Sequence, residues 1–228
     1  MTDASLIPSE GRRIDALGNH FTIESHILST RSADAYKAFD RGSGGSVNLW
    51  MLRHPLNPKS EAVNRFLARI QSIQHLQPAV AHINSFGIDD SGMAFVAMPN
   101  LDGFPVAAGN VEISEAERRF MSCVRFIERL HAQGLVCGDL CGSSFWVDRG
   151  GDLKFIGVMG SFDSEAAATA MLPPMETMHY VAPEQRSGGG IELASDVFAL
   201  GVLGYFMLTG SYPYGTANNA LVTSFEIN

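Results

Sequence analysis

Between Leu135 and Gly160 the chain reads LVCGDLCGSSFWVDRGGDLKFIGVMG. Few side chains here are able to do chemistry. Asp139 is a loop carboxylate, suited to general-base work or, more simply, to accepting hydrogen bonds that brace its own loop. Cys137 and Cys141 are thiols four residues apart, but no second Cys/His pair follows at ligand spacing. With Cys123 they make an odd three, which reads as reduced structural thiols, neither disulfides nor a zinc site. Ser144 offers a hydroxyl, a weak ligand for a hard cation such as magnesium. The only lysines are Lys37, Lys59 and Lys154.

Any such loop has to be held by a scaffold, and the rest of the sequence supplies one. The 228 residues are 46% hydrophobic and 18% charged, enough for one large core or two small ones. A net charge of -8 leaves no basic footprint, so nucleic acid and anionic membrane surfaces are poor partners. Met1 to His20 lacks a charged-then-apolar leader pattern, and the longest apolar run, within Val197 to Leu208, is too short to span a bilayer. A cytoplasmic chain is expected.

Short β-prone runs, Phe21 to Leu28, Ala35 to Asp40 and Ser46 to Leu52, predict a small antiparallel sheet. Ser60 to Gln77 interrupts it with an amphipathic helix whose apolar stripe is Val63, Phe66, Leu67, Ile70, Ile73 and Leu76. Two more strands frame the turn at Asp89 to Gly92. After a linker at Pro99 to Gly103, Ser114 and Glu117 form a capping-box pair. Phe120, Val124, Ile127 and Leu130 give that helix its stripe, and Gly134 ends it. An almost wholly apolar helix follows at about Ala194 to Leu208. The prediction is an α+β protein in two lobes: a lead-in at 1–20, a small sheet lobe at 21–99 and a helical lobe at 100–228.

From Phe21 to Gly215 the sequence resembles the eukaryotic-type protein kinase fold, especially bacterial Ser/Thr kinases. The motifs that carry the resemblance are MHYVAPEQ, with Ala182-Pro183-Glu184 as the A-P-E, and ASDVFALGVLGYFMLTGSYPYG, with Asp196 near its start. Both stand in order after LHAQGLVCGDL. In the family, the aspartate matching Asp196 braces the catalytic-loop backbone, and the glutamate matching Glu184 pairs with an arginine farther along.

The family divides phosphoryl transfer among a Gly-rich loop, a strand lysine, a helix glutamate, a catalytic aspartate and two metal ligands. Here the Gly-rich loop falls on Leu28 to Ala33, with no glycine. The lysine falls on Trp50 and its glutamate partner on Arg69. H-R-D becomes Cys137-Gly138-Asp139, the metal-binding asparagine becomes Ser144, and D-F-G becomes Gly157-Val158-Met159. Only Asp139 matches, as a relic. Lys37 and Asp163 are the nearest stand-ins for a displaced lysine and metal ligand. His131 reads as a core histidine bonded to backbone. At the hinge, Met98 is the gatekeeper, while the Pro99 carbonyl and Leu101 N–H leave weak purine binding open.

The expected function is therefore that of a pseudokinase: a shell that binds or scaffolds a protein partner, with no cofactor and no ATP or magnesium bound. The alternatives are a transferase with relocated residues and a sensor of a small ligand between the lobes. Family members continue through further helices after the position of Tyr212 to Gly215. One flank of the last helix is accordingly expected to be apolar and covered by a second copy or another protein.

Overall fold

Period-two alternation sorts the strand residues onto two faces. In a computed structural model, which describes residues 13–16, 19–89, 91–108, 111–160 and 175–214, six strands form the upper sheet. They are β1 (Arg13–Ala16), β2 (Asn19–Ser29), β3 (Ala33–Asp40), β4 (Gly45–Leu52), β5 (Ser85–Ile88) and β6 (Ala94–Pro99). All pairings are antiparallel, in the order β1-β2-β3-β4-β6-β5. Paired strand structure thus begins inside the segment expected to be a lead-in.

One face gathers Phe21, Tyr36, Leu49, Met51 and Phe95; the other gathers Ala35, Trp50, Leu52, Val96 and Met98. A one-residue slip of β4 would exchange Trp50 for Leu49 and reverse both faces. The β3–β4 turn is held by Asp40, whose carboxylate accepts from the Gly42 N–H at 2.8 Å and the Ser43 hydroxyl at 2.8 Å.

The face bearing Trp50 shares its core with α1 (Glu61–Gln74), whose Phe66, Ile70 and Ile73 are fully buried. The helix stops three residues before the expected end. Leu76 and Gln77 donate to carbonyls three residues back, and Pro78 cannot continue a helix.

The lower lobe opens with β7 (Gly103–Pro105), followed by α2 (Ile113–Ala132), β8 (Phe145–Asp148) and β9 (Leu153–Phe155). Then come α3 (Met175–Met178), α4 (Pro183–Arg186) and α5 (Leu193–Thr209). A second small sheet runs β7-β8-β9. Ser114 does not cap α2 but lies inside it. The Glu112 carbonyl accepts the N–H groups of Glu115 and Ala116, and Glu115 chelates Arg118 and Arg119 one turn on. An acid in the first turn with basic partners three and four residues later favours the earlier start. Gly134, at φ +70, ends the helix as expected.

Phe126 of α2 stacks on Phe155 at 4.5 Å and meets Phe145 edge-on at 5.7 Å, tying α2 to the β8–β9 hairpin. Gly204 lets α5 approach α2, since a Cβ there would press on the Phe120 ring. The apolar flank expected on α5 is present among the described residues. Ala199, Val202 and Leu203 are buried, while Val197 (61%) and Leu208 (55%) lead an exposed apolar stripe with Leu193 and Tyr205. Residues 215–228 lie outside the described residues. Among the described residues, no helix is long and apolar enough to cross a membrane.

Candidate functional site

The cleft between the lobes is bounded by β2, β3, β4 and β6 above and by β8 and the segment after β9 below. Trp50 pairs across the sheet with Ala35 and Val96 and is only 3% exposed. It walls a cavity of about 20 Å³ together with Leu28, Ala35, Asn48, Met98, Leu101, Trp146 and Ile156. Such a space holds about one water, against ~300–1,000 Å³ for typical ligand pockets. The hinge residues Met98 and Leu101 border this remnant.

Ser144 and Gly157, which match the metal-ligand positions of the resembled family, touch each other. Ser144 is buried, and its hydroxyl oxygen accepts the Cys141 N–H at 3.0 Å. The Ser144 carbonyl accepts the N–H groups of Ile156 and Gly157. A Cβ at Gly157 would stand 3.0 Å from that of Ser144 and 3.1 Å from the Phe155 ring, so a carboxylate there would have to displace its neighbours. Gly157 brings no ligand atom in its side chain, and magnesium takes hard oxygen ligands. Among the described residues no cluster of three His, Cys, Asp or Glu could hold a metal. Asp163 lies outside the described residues.

Asp139 does not face an open pocket. Its Oδ2 accepts the backbone N–H of Ser32 at 2.8 Å, and Ser32 belongs to the turn that stands where a Gly-rich loop would be. Burial pushes the Asp139 carboxyl above the usual carboxylate range, opposed by Arg31 and by hydrogen bonds from Thr30 and Ser32. Arg31 Nη2 in turn donates to the Gly138 carbonyl at 3.2 Å. The loop reading of Asp139 as a hydrogen-bonding brace thus has named partners, though they come from the opposite lobe.

Arg69, in the place of the helix glutamate, also crosses to the lower lobe. Nη1 donates to the Val136 carbonyl at 2.6 Å, and Nη2 lies 3.5 Å from that of Cys137. Burial lowers its pKa, with Cys137 and Asp196 opposing the shift. Gly160 makes room for this contact, because a Cβ there would run into the Cys137 carbonyl and the Arg69 guanidinium.

Beneath the loop, Asp196 accepts the N–H groups of Cys137 and Gly138, each at 2.7 Å. This is the bracing role that the kinase resemblance implies. His131 differs from expectation: its Nε2–H donates to Asp196 at 2.8 Å and not to backbone, because the buried carboxylate has an oxygen facing α2. Glu184 accepts the Ser195 hydroxyl at 2.6 Å. Gln185 Nε2 donates to the Gly138 carbonyl at 3.0 Å.

The lysines are not gathered at the cleft. Lys37 pairs with Glu24 at 3.1 Å on the exposed side of β3, and Lys154 donates to the Pro78 carbonyl. Lys59 is exposed beside α1. Burial raises the pKa of all three thiols, Cys123 to about 12. Sequence reasoning missed Arg31, Ser32 and Gln185. Their partners are mostly backbone carbonyls, which leave no trace in residue types.

No protein-family model matches the chain. It is 30% identical over 193 residues to the DNA damage-responsive serine/threonine-protein kinase RqkA of Deinococcus radiodurans, across 80% of this chain and 29% of that protein. It is 25% identical over 210 residues to the serine/threonine-protein kinase PknA of Mycobacterium tuberculosis, across 87% of this chain and 48% of that protein. The chain therefore spans less than half the length of either relative. The Mycobacterium tuberculosis PknI kinase domain has the same fold at TM-score 0.57 and 16% identity, covering 90% of this chain and 79% of that one. With Asp196 bracing the loop from below and a six-strand sheet and helix above it, the chain is a homologue of bacterial Ser/Thr protein kinases with the kinase-like α+β fold.

Proposed function

We propose that this chain is a pseudokinase module: it does not transfer phosphate, and it works by binding another protein. The observation that carries this reading is the filled cleft. An indole stands where the phosphate-pairing lysine belongs, and the space left behind it is about 20 Å³. The metal positions support it from the other side, since Gly157 has no ligand atom in its side chain and the Ser144 hydroxyl is engaged. Removing a single charge stabiliser from a transition state typically costs ~10²-fold or more, and here the lysine and both metal ligands are replaced together. Binding falls to the lower-lobe surface, where the exposed stripe of Leu193, Val197, Tyr205 and Leu208 offers apolar area to a protein partner or a second copy.

Thermal melting with millimolar ATP and magnesium or manganese tests the reading. A nucleotide present at 100 times its Kd would add about 2.7 kcal/mol, a shift of a few degrees. No shift is expected, and no labelled phosphate should pass to the chain or to a generic substrate. A metal-dependent rise of that order, or transfer of label, would overturn the proposal.

A second reading has its own observation. In front of Trp146, a cavity of about 660 Å³ opens between Leu28 and Ser29 above and Cys141, Ser143, Tyr180 and Tyr212 below. A small uncharged ligand at this mouth would make the module a sensor. Melting against a library of neutral aromatic compounds separates the two readings, because only the sensor gains stability.

A further inference from the structure

Residues 136–139 are tied to both lobes at once. From below, Asp196 takes the N–H groups of Cys137 and Gly138, and Gln185 donates to the Gly138 carbonyl. From above, each of the four residues receives a donor. Arg69 reaches the carbonyls of Val136 at 2.6 Å and Cys137 at 3.5 Å, Arg31 that of Gly138 at 3.2 Å, and the Ser32 N–H the carboxylate of Asp139 at 2.8 Å. These donors come from two separate elements of the upper lobe, α1 and the β2–β3 turn.

Both arginines are buried, at 7% exposure for Arg31 and 6% for Arg69. A buried guanidinium needs acceptors close by, and here backbone carbonyls of the opposite lobe supply them. The turn itself is positioned for the task. Thr30 closes it by accepting the Ala33 N–H on its hydroxyl at 3.1 Å, which leaves the Ser32 N–H directed at Asp139. Arg53, paired with Asp34 at 3.7 Å, reaches the Thr30 carbonyl at 3.5 Å and supports the turn from just beyond β4.

We infer that Arg31, Ser32 and Arg69 form a latch that holds the lobes shut without any ligand, with the β2–β3 turn as the built-in occupant of the space over Asp139. This goes beyond the absence of phosphoryl transfer. A pseudokinase with a freely opening cleft would satisfy the proposed function and lack the latch. A latched cleft presents the lower-lobe surface in one fixed setting, with no dependence on nucleotide.

Hydrogen exchange of the full chain, without nucleotide or metal, tests this independently of ATP binding. In the native chain the Ser32 amide and residues 136–139 should exchange as slowly as β3 and β4. Arg31→Ala should speed exchange in 29–32 and 136–139 by roughly ten- to hundredfold, the weight of a hydrogen bond from a charged donor, and leave β3 and β4 unchanged. Arg69→Met, which keeps the side chain's length, should act on 136–137 in the same way. If Arg69→Met fails to fold, Arg31→Ala decides alone. Fast exchange at Ser32 in the native chain, or unchanged exchange at 136–139 in Arg31→Ala, would overturn the latch.

Discussion

Trp50 and Asp196 lie on opposite sides of one cleft and are buried to nearly the same depth, 3% and 1% exposed. They are buried for different reasons. Asp196 satisfies two backbone N–H groups and His131, and the loop above it has no other acceptor in that position. Trp50 lies beside Ala35, Val96 and Met98 in the core cluster it shares with α1 and needs only to fill space. Around Asp196 the chain agrees with the kinase pattern, because those residues hold backbone. Around Trp50 it departs from the pattern, because the residues there would have handled phosphate. A fold depends on the first kind of residue and tolerates change in the second. Under the proposed function, the kinase-like architecture of this molecule stands without kinase chemistry.

The largest effects should come from the two buried residues themselves. Trp50→Ala should cost about 3–5 kcal/mol in urea unfolding through the cavity it leaves. Trp50→Lys should also destabilise, by burying an ammonium, and should gain no ATP-dependent stabilisation. A neutral Trp50→Ala would break the comparison, since the indole would then not be filling the cleft.

Asp196→Ala should cost about 2–4 kcal/mol, because it strands the amides of Cys137 and Gly138 without an acceptor. Asp196→Asn, which keeps one acceptor oxygen, should cost less. Equal losses would mean that charge, and not bracing, is what the site needs.

Asp139→Asn sharpens the contrast, because an amide oxygen can still accept from Ser32. Stability near neutral pH should change by no more than about 1 kcal/mol. The sign of its pH dependence is fixed. Burial raises the native carboxyl above its unfolded value of about 3.9, so the native state holds that proton more tightly. Wild-type stability relative to Asp139→Asn should therefore fall as pH rises from the unfolded value to the raised native one. A relative stability that climbs over that window would contradict the buried brace.

The smallest stability change is expected on the exposed stripe of α5. Val197→Asp should alter unfolding by about 0.5 kcal/mol or less, as surface substitutions do. In light scattering after gel filtration it should abolish any self-association that uses this face. Phe206 is a poorer probe, because it is half-buried and stacks on Tyr212 at 4.7 Å.

Much of the scaffold was legible because periodicity is a property of residue types. Phe66, Ile70 and Ile73 announced α1, Gly134 announced the end of α2, and Asp196 was placed by its motif. The start of α2 was misread, since the Ser114/Glu117 spacing matches a capping box while the Glu115–Arg118–Arg119 cluster decides the geometry. Strand β1, four residues long, is too short to show a pattern. The cross-lobe contacts of Arg31 and Arg69 were invisible for a different reason. A guanidinium bonded to carbonyls has partners common to every residue, so only the fold can reveal which ones it meets.

The buried thiols have a kinetic consequence. A thiol reacts as its thiolate and only when reached, and Cys123, Cys137 and Cys141 are all enclosed, with their acidity suppressed by burial. An alkylating dye should leave the native molecule unmarked near neutral pH. Each thiol then acts as a clock for a different excursion. Cys137 and Cys141 keep time for the parting of the lobes, and Cys123 for the lifting of α2 from the core.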